Sequence, residues 1–199
     1  MKARPILFSG PMVRALLSGT KTQTRRVVKT QPSVLGDEFP GPRGRNGVSR
    51  AYFPHLDFHR AAMPEVCPYG QPGDRLWVRE TWQRAGGNTG FWYAATDSEA
   101  DEGNSPVTHW RPSIHMPRAV SRITLEIAAV RVERLGEITP DDCIAEGAWA
   151  VDQRELGRGH EAVAAFRTLW ESINGPGSWA SNPWVWVLEF RLVEWTRPW

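Results

Sequence analysis

Two long segments rich in apolar residues constrain the fold of this 199-residue chain more than any other feature. RITLEIAAVRVERL, residues 122–135, alternates strongly between apolar and polar residues, and NPWVWVLEFRLVEW, residues 182–195, is a long, largely apolar segment near the end of the chain. A repeat of two residues is typical of a β-strand whose two faces meet different surroundings. The two segments therefore predict two long strands.

Shorter elements are predicted around these two strands. Pro11 at a first helical turn, Gly19 after a last turn, and the TPDD start at residues 139–142 are helix signals. We expect strands at residues 4–10, 22–28, 73–82 and 90–96, helices at residues 11–19, 139–148 and 160–175, and an extended but irregular segment at residues 110–121. Together these elements predict an α+β fold, a small and mostly antiparallel β-barrel flanked by short helices.

Residues 31–72 interrupt this pattern. They contain seven prolines, several glycines and scattered aromatic residues, with little periodicity. A segment of this composition is typical of a long irregular insertion over one face of a domain. We therefore predict a single domain spanning residues 1–199, with residues 31–72 as an insertion loop.

The charge of the chain is unevenly distributed. Residues 1–60 hold eleven Lys and Arg against three Asp and Glu, whereas the whole chain holds 24 against 22. A basic region favours an anionic partner such as nucleic acid, but the near-neutral total limits such a contact to a local one. Eleven tryptophans are also present, and some of their rings could stack on a base.

Cysteine usage and hydropathy indicate a cytoplasmic protein without a metal. Cys67 and Cys143 have no spacing suited to zinc or to a disulfide framework. No apolar run approaches the length that a membrane helix needs, and no signal peptide is recognisable. No glycine-rich phosphate-binding motif is present, so we expect no cofactor.

The segment LLSGTKTQTRR, residues 16–26, combines a lysine, three threonines and two adjacent arginines. A turn at residues 22–23 could bring Lys21 and Thr24 together as a base and a nucleophile. The alternative is an ordinary solvent-exposed helix exit. The pattern of residues alone favours the exposed exit.

Three segments give the chain a resemblance to the ASCH family, whose domain is a PUA-like barrel. They are SGTKTQTRR at residues 18–26, PGDRLWVRETW at residues 72–82, and RITLEIAAVRVERLGEITPDDCIAEG at residues 122–147. With the closing strand, they cover most of the chain outside the insertion. The chain looks most like the longer bacterial and phage-borne members.

The resemblance implies an activity. Small members of the family are amidohydrolases that remove the acetyl group from N4-acetylcytidine, using a lysine and a threonine in a KTxTxR segment and a glutamate in the helix after the central strand. These positions correspond to Lys21, Thr24 and Glu146, and the terminal arginine to Arg26. The expected partner is a modified cytidine nucleoside or RNA. The insertion and the Trp-rich segments are absent from the compact hydrolases, which leaves the size of the substrate open.

Further candidates for substrate binding lie on the central segments. Arg26 and Arg79 could hold a phosphate or a base edge, Trp77 could stack on a pyrimidine, and His115 could move a proton. Glu80 is the acidic neighbour of Arg79 on the opposite strand face, with Leu76, Val78 and Glu80 predicted on one face and Trp77, Arg79 and Thr81 on the other.

Two questions stay open from the sequence. A lysine must lose much of its basicity to act near neutral pH, so either Lys21 or Glu146 could be the base, with a charged Lys21 serving the oxyanion in the second case. A PUA-like barrel could also be an RNA-binding module without turnover, or a ribonuclease.

Overall fold

The computed structural model describes residues 1–29, 31, 50–51, 65–85, 90–97, 109–148 and 159–195. These residues form nine strands and four α-helices. The strands are β1 Ala3–Leu7, β2 Gln23–Val27, β3 Arg50–Ala51, β4 Glu65–Val66, β5 Arg75–Arg79, β6 Trp82–Arg84, β7 Phe91–Tyr93, β8 Ile123–Arg134 and β9 Trp184–Trp195. The helices are α1 Gly10–Leu17, α2 Ala94–Asp97, α3 Pro140–Ala145 and α4 Gly159–Asn174.

Five of the strands form one mixed sheet in the order β1-β5-β8-β9-β2. The pair β1–β5 is parallel and the other neighbours are antiparallel. The two long strands predicted at residues 122–135 and 182–195 are confirmed as β8 and β9, which pair along most of their length. The prediction of a mixed α+β fold with short helices is likewise confirmed.

The two edge strands of this sheet face each other without pairing. Within the described residues no backbone ladder joins β1 to β2, so the strands form a sheet and not a closed barrel. One side chain crosses the gap, because the guanidinium of Arg26 on β2 donates to the carbonyl of Leu7 on β1 over 2.7 Å. The edges are therefore close, and the space between them is where the site lies.

Strand β9 separates two apolar clusters, and its residues alternate between them. Trp186 and Leu188 belong to the cluster under α1, whereas Val185 and Val187 belong to the cluster under α3 and α4. This half of β9 is buried on both faces, which explains why its sequence is apolar almost continuously. Layers on both sides of β9 thus fix the positions of α1 and α3.

Some boundaries differ from the predictions. The strand predicted at residues 90–96 ends at Tyr93, and the chain continues as α2, whose Asp97 carboxylate accepts the Tyr93 amide at 2.8 Å. The strand predicted at residues 73–82 divides into β5 and β6. Most of the predicted insertion, residues 31–72, lies outside the described residues, although β3 and β4 pair within it.

Candidate active site

The connection from α1 to β2 is held between two helices. The Lys21 amide donates to Ala15 on α1 at 3.0 Å, and the Thr22 amide donates to Ala145 on α3 at 2.8 Å. Gly147 follows α3 with φ +72, and a Cβ there would lie 2.8 Å from the Ala15 side chain and 3.2 Å from that of Lys21. Only glycine combines this backbone conformation with so close an approach, so Gly147 lets the end of α3 pack on Lys21.

Helix α3 presents Glu146 to the interior. Thr139 and Asp142 form a reciprocal capping box at its start, and Pro140 occupies the first turn. Glu146 is the residue that caps the helix at its C-terminal end, and its exposed fraction is 4%. Because α3 is short and its start is fixed by the capping box and the proline, the position of the Glu146 carboxylate is fixed as well.

The ammonium of Lys21 meets Glu146 directly, although the two residues are far apart in the chain. Lys21 Nζ donates to the Glu146 Oε2 at 3.1 Å, to the Glu146 carbonyl at 2.7 Å and to the Gln23 carbonyl at 2.8 Å. An ammonium has three N–H donors, and all three have an acceptor here. Burial lowers the pKa of Lys21, the Glu146 carboxylate opposes that effect, and Arg26 and Arg25 add to it, with a lowered pKa as the result.

Arg25 joins three carboxylates behind this pair. Its side chain is 0% exposed and contacts Glu133 at 3.1 Å, Asp142 at 3.1 Å and Glu146 at 3.3 Å. The guanidinium thereby links β2, β8 and α3 through charge-assisted contacts. The positive charges of Lys21 and Arg25 are both offset within the protein.

Thr24 lies on β2 opposite Leu188 of β9, and its exposed fraction is 4%. Within the described part of the chain no hydrogen bond involves its hydroxyl, and Thr24 lines the same cavity as Lys21 and Glu146. A hydroxyl without a protein partner at the edge of a cavity is available to a ligand.

The cavity has a volume of about 630 Å³ and lies in the gap between β1 and β2. That volume falls in the range of small-molecule sites. Its charged and hydroxyl-bearing lining residues include Lys21, Thr24, Arg25, Arg26 and Glu146. Its apolar or aromatic lining residues include Leu7, Phe8, Met12, Tyr69, Phe166, Leu169, Trp170 and Ile173.

The predicted substrate-binding residues do not all reach this cavity. Arg26 lines it and lies over the Phe8 ring at 5.4 Å. Trp77 and Arg79 do not, because Arg79 stacks over Trp77 at 5.3 Å and donates to the Met116 carbonyl at 3.0 Å.

His115 is exposed at the end of a 3-10 turn that begins at Ser113. Ser113 lines the cavity, whereas His115 does not. His115 therefore lies near the site without forming part of its wall.

Glu80 points away from the cavity and into the fold. Both of its carboxylate oxygens accept from Arg122 at 2.9 Å, and Arg122 lies over the Tyr93 ring at 4.0 Å. Burial raises the pKa of Glu80 and the Arg122 guanidinium opposes this, with a raised pKa as the result. The alternation predicted for residues 76–81 holds, but the Glu80 face is interior, so contact between Glu80 and a substrate finds no support.

The sequence did not point to several cavity residues. Phe166 and Trp170 lie on the helix predicted at residues 160–175, but helical periodicity does not distinguish an apolar face that fills a core from one that also lines a cavity. Tyr69 lies in the segment predicted to be irregular, where no periodicity marks it. Burial raises the pKa of Tyr69, against the effect of Arg26.

Comparisons with family models, curated proteins and solved structures found no match to this chain. Among the described residues, no group of three or more His, Cys, Asp or Glu side chains is arranged to hold a metal ion. No helix in the described ranges combines the length and the apolar character needed to cross a membrane.

Proposed function

We propose that this chain is an amide hydrolase of the ASCH type, which removes an acyl group from the N4 nitrogen of cytidine. The proposal joins the motif resemblance to one structural observation. Lys21 and Thr24, around the start of β2, and the distant Glu146, after α3, line one cavity. The sheet order, with β1 and β2 facing each other across that cavity, suits a PUA-like barrel that is open at the site.

Thr24 is the proposed nucleophile. Its hydroxyl is free of protein partners in the described chain, and its oxygen forms the new bond to the acyl carbon. The hydroxyl proton passes to the carboxylate of Glu146, which lines the same cavity. Burial lowers the pKa of Lys21, but Lys21 already donates to three oxygens, and these contacts oppose the loss of its proton and support Glu146 over Lys21 as the base.

The negative charge that develops on the carbonyl oxygen requires donors. Arg26 lines the cavity, and its buried Nε–H has no hydrogen-bond partner among the described residues. Lys21 supplies positive charge from the same wall and keeps Glu146 in place. We assign oxyanion stabilisation to Arg26 with the support of Lys21.

The remaining steps return every group to its starting state. The carbon–nitrogen bond breaks as Glu146 gives its proton to N4, which releases cytidine and leaves the acyl group on Thr24. Water then gives a proton to Glu146 and attacks the acyl ester. The bond between the acyl carbon and the Thr24 oxygen then breaks, Glu146 returns its proton to that oxygen, and the free acid leaves, so no co-reactant other than water is needed.

The direct test is to incubate the purified protein with N4-acetylcytidine and to follow cytidine by chromatography. Thr24→Ala should abolish cytidine formation. The matched control is Thr22→Ala, since Thr22 is exposed two residues earlier and should leave turnover unchanged. Near-wild-type turnover in Thr24→Ala would end the nucleophile proposal.

A further inference from the structure

The aromatic ring of Phe8 lies beside two cations of the cavity. Its centroid is 5.3 Å from Lys21 Nζ and 5.4 Å from Arg26 Cζ, and all three residues line the cavity. Both distances are within the roughly 6 Å over which the electron-rich face of an aromatic ring attracts a cation. One ring therefore contacts both groups to which the proposed reaction assigns the stabilisation of the oxyanion.

The ring is itself held firmly in the fold. Phe8 follows β1, its amide donates to the Arg79 carbonyl at 3.1 Å, and the residue is 5% exposed. Its ring packs against that of Phe190 on β9, with centroids 6.2 Å apart. A cation over a ring that is shielded from water is bound more strongly than one over an exposed ring. The Phe8 ring thus offers the two cations a surface of fixed position.

Arg26 has few other contacts to hold it in place. Among the described residues its guanidinium makes one hydrogen bond, to the Leu7 carbonyl at 2.7 Å, and its buried Nε–H has no partner. Leu7 and Phe8 are consecutive, so the end of β1 supplies both the carbonyl and the ring.

Arg25 shows the alternative way to hold a guanidinium, since it is paired with three carboxylates. A carboxylate offsets the positive charge of the arginine that it holds. A ring and a carbonyl hold Arg26 and leave its charge and its Nε–H for a ligand in the cavity. Lys21 also has oxygen acceptors for its three N–H groups, so Arg26 depends on the ring more than Lys21 does.

We propose that Phe8 is a positioning residue, whose ring holds the Arg26 guanidinium and the Lys21 ammonium at the cavity without neutralising them. Its part in catalysis rests on the proposed function, because Phe8 acts through the two cations and not on the reacting atoms. The contact between the ring and the cations does not rest on it. A ring that only filled space in the apolar cluster would serve equally well whatever the electron density of its face.

The test changes the electron density of the ring and keeps its shape. Phe8 is replaced by phenylalanines that carry one, two and three ring fluorines, which withdraw electrons from the ring face and weaken its attraction for a cation. The control is the same series at Phe190, which is 4% exposed, packs against Phe8 and has no cation over its ring among the described residues. Thermal unfolding of every variant checks that the fold is intact.

Each fluorine at Phe8 should lower kcat for N4-acetylcytidine, by about tenfold with three, because Arg26 and Lys21 are then held less well where the oxyanion forms. The KM should not change, and the Phe190 series should keep the wild-type kcat. A kcat that is the same throughout the Phe8 series, or that falls equally in both series, would overturn the inference.

A second measurement needs no turnover. The chain has only three lysines, Lys2, Lys21 and Lys29, so NMR of protein with isotope-labelled lysine can follow Lys21, whose signal is the one missing from Lys21→Arg. The ring face favours the charged ammonium, so each fluorine at Phe8 should lower the pKa of Lys21. The titration uses Arg26→Gln as its background, because a movement of Arg26 would itself change that pKa.

Glu146 and Arg25 are the other charged groups that act on the pKa of Lys21, and both are retained in every variant. A pKa of Lys21 that is unchanged across the Phe8 series would overturn the contact itself. A pKa that falls with each fluorine, in a protein that releases no cytidine, would reject the proposed function and support the contact between the ring and the cations.

Discussion

Glu80 and Glu146 are both buried and both paired with arginine, yet their surroundings differ in a way that bears on function. The two oxygens of Glu80 are taken by a single partner, Arg122. Those of Glu146 are divided between Lys21 and Arg25, and the residue also lines a cavity. Both Glu80 oxygens are therefore bound by one arginine inside the fold, whereas Glu146 lies where a ligand in the cavity can replace one of its two partners.

Glu80→Gln should therefore act on stability and not on substrate binding. It leaves the buried Arg122 without its counter-charge, which should lower the free energy of unfolding by about 3–5 kcal/mol. Chemical denaturation measures this loss, and the KM for N4-acetylcytidine should stay at the wild-type value. A raised KM with unchanged stability would return Glu80 to the substrate-binding residues.

The control for this change is Glu126→Gln on β8. Glu126 pairs with Arg191, whose side chain is 71% exposed, so the ion pair faces solvent. Surface pairs contribute about 0–1 kcal/mol, and the free energy of unfolding should fall by no more than that.

Substitutions of Lys21 distinguish the two roles that the sequence left open. Lys21→Arg keeps the positive charge beside Glu146 but cannot act as a base, so measurable hydrolysis should survive in it. Lys21→Met removes the charge and three hydrogen bonds, and should abolish activity. Turnover assays at several pH values measure both variants, with thermal unfolding as the check on folding.

If Lys21→Arg were as inactive as Lys21→Met while still folded, Lys21 would be the base. If Lys21→Arg keeps a measurable rate with an unshifted pH profile, Lys21 acts through its charge.

The contact between Lys21 and Glu146 could not be predicted from spacing in the sequence, since it joins residues 125 positions apart. Only the motif resemblance brought the two together.

At the scale of elements, α3 links the stability of the fold to the candidate active site, because Asp142 lies in its first turn and Glu146 is its C-terminal cap. Burial raises the pKa of Asp142, but hydrogen bonds from Thr139 and Gln23 and the charge of Arg25 outweigh it, so that the pKa lies below the ordinary 3.8. The ionised carboxylate thus stabilises the folded state.

Asp142→Asn should lower the free energy of unfolding at pH 7 by about 1–3 kcal/mol, since it weakens the cap and the contact with Arg25. The stabilisation by Asp142 is complete above the unfolded pKa near 3.8 and is lost as pH falls through the lower folded pKa. Denaturation at pH 7 and near pH 3 measures the difference between the variant and the wild type. A difference that grows on acidification would contradict this sign.

The elements differ in how far the sequence determined them. The strand β8 and the helix α4 were predictable because their periodicity is long, β9 because its apolar segment is long, and α3 because its cap and proline are local signals. The helical turn α2 was missed because it depends on Asp97 accepting the Tyr93 amide, a contact that a strand pattern does not reveal. The packing of the other strands decides which face of β5 is interior. The burial of Glu80 could therefore not be predicted from the residues next to it in the sequence.

At the scale of the molecule, the sheet is most protected where β9 lies between two neighbours. Residues 185–189 of β9 pair with β8 on one side and with β2 on the other. Beyond Phe190, β8 is the one strand that pairs with β9 among the described residues, and Leu192, Val193 and Trp195 are 42%, 41% and 48% exposed. The first half of β9 therefore lies inside the sheet, and its second half lies at an edge of the sheet.

Amide hydrogen exchange should follow this division. We expect the slowest exchange in Val185–Leu188, where opening requires disruption of the whole sheet, and faster exchange in residues 191–195, where local fraying suffices. Mass spectrometry on peptides from the two halves of β9 measures the contrast. Equal protection along β9 would mean that another part of the chain or a second copy covers the free edge, because backbone groups on an exposed edge exchange with water unless something pairs with them.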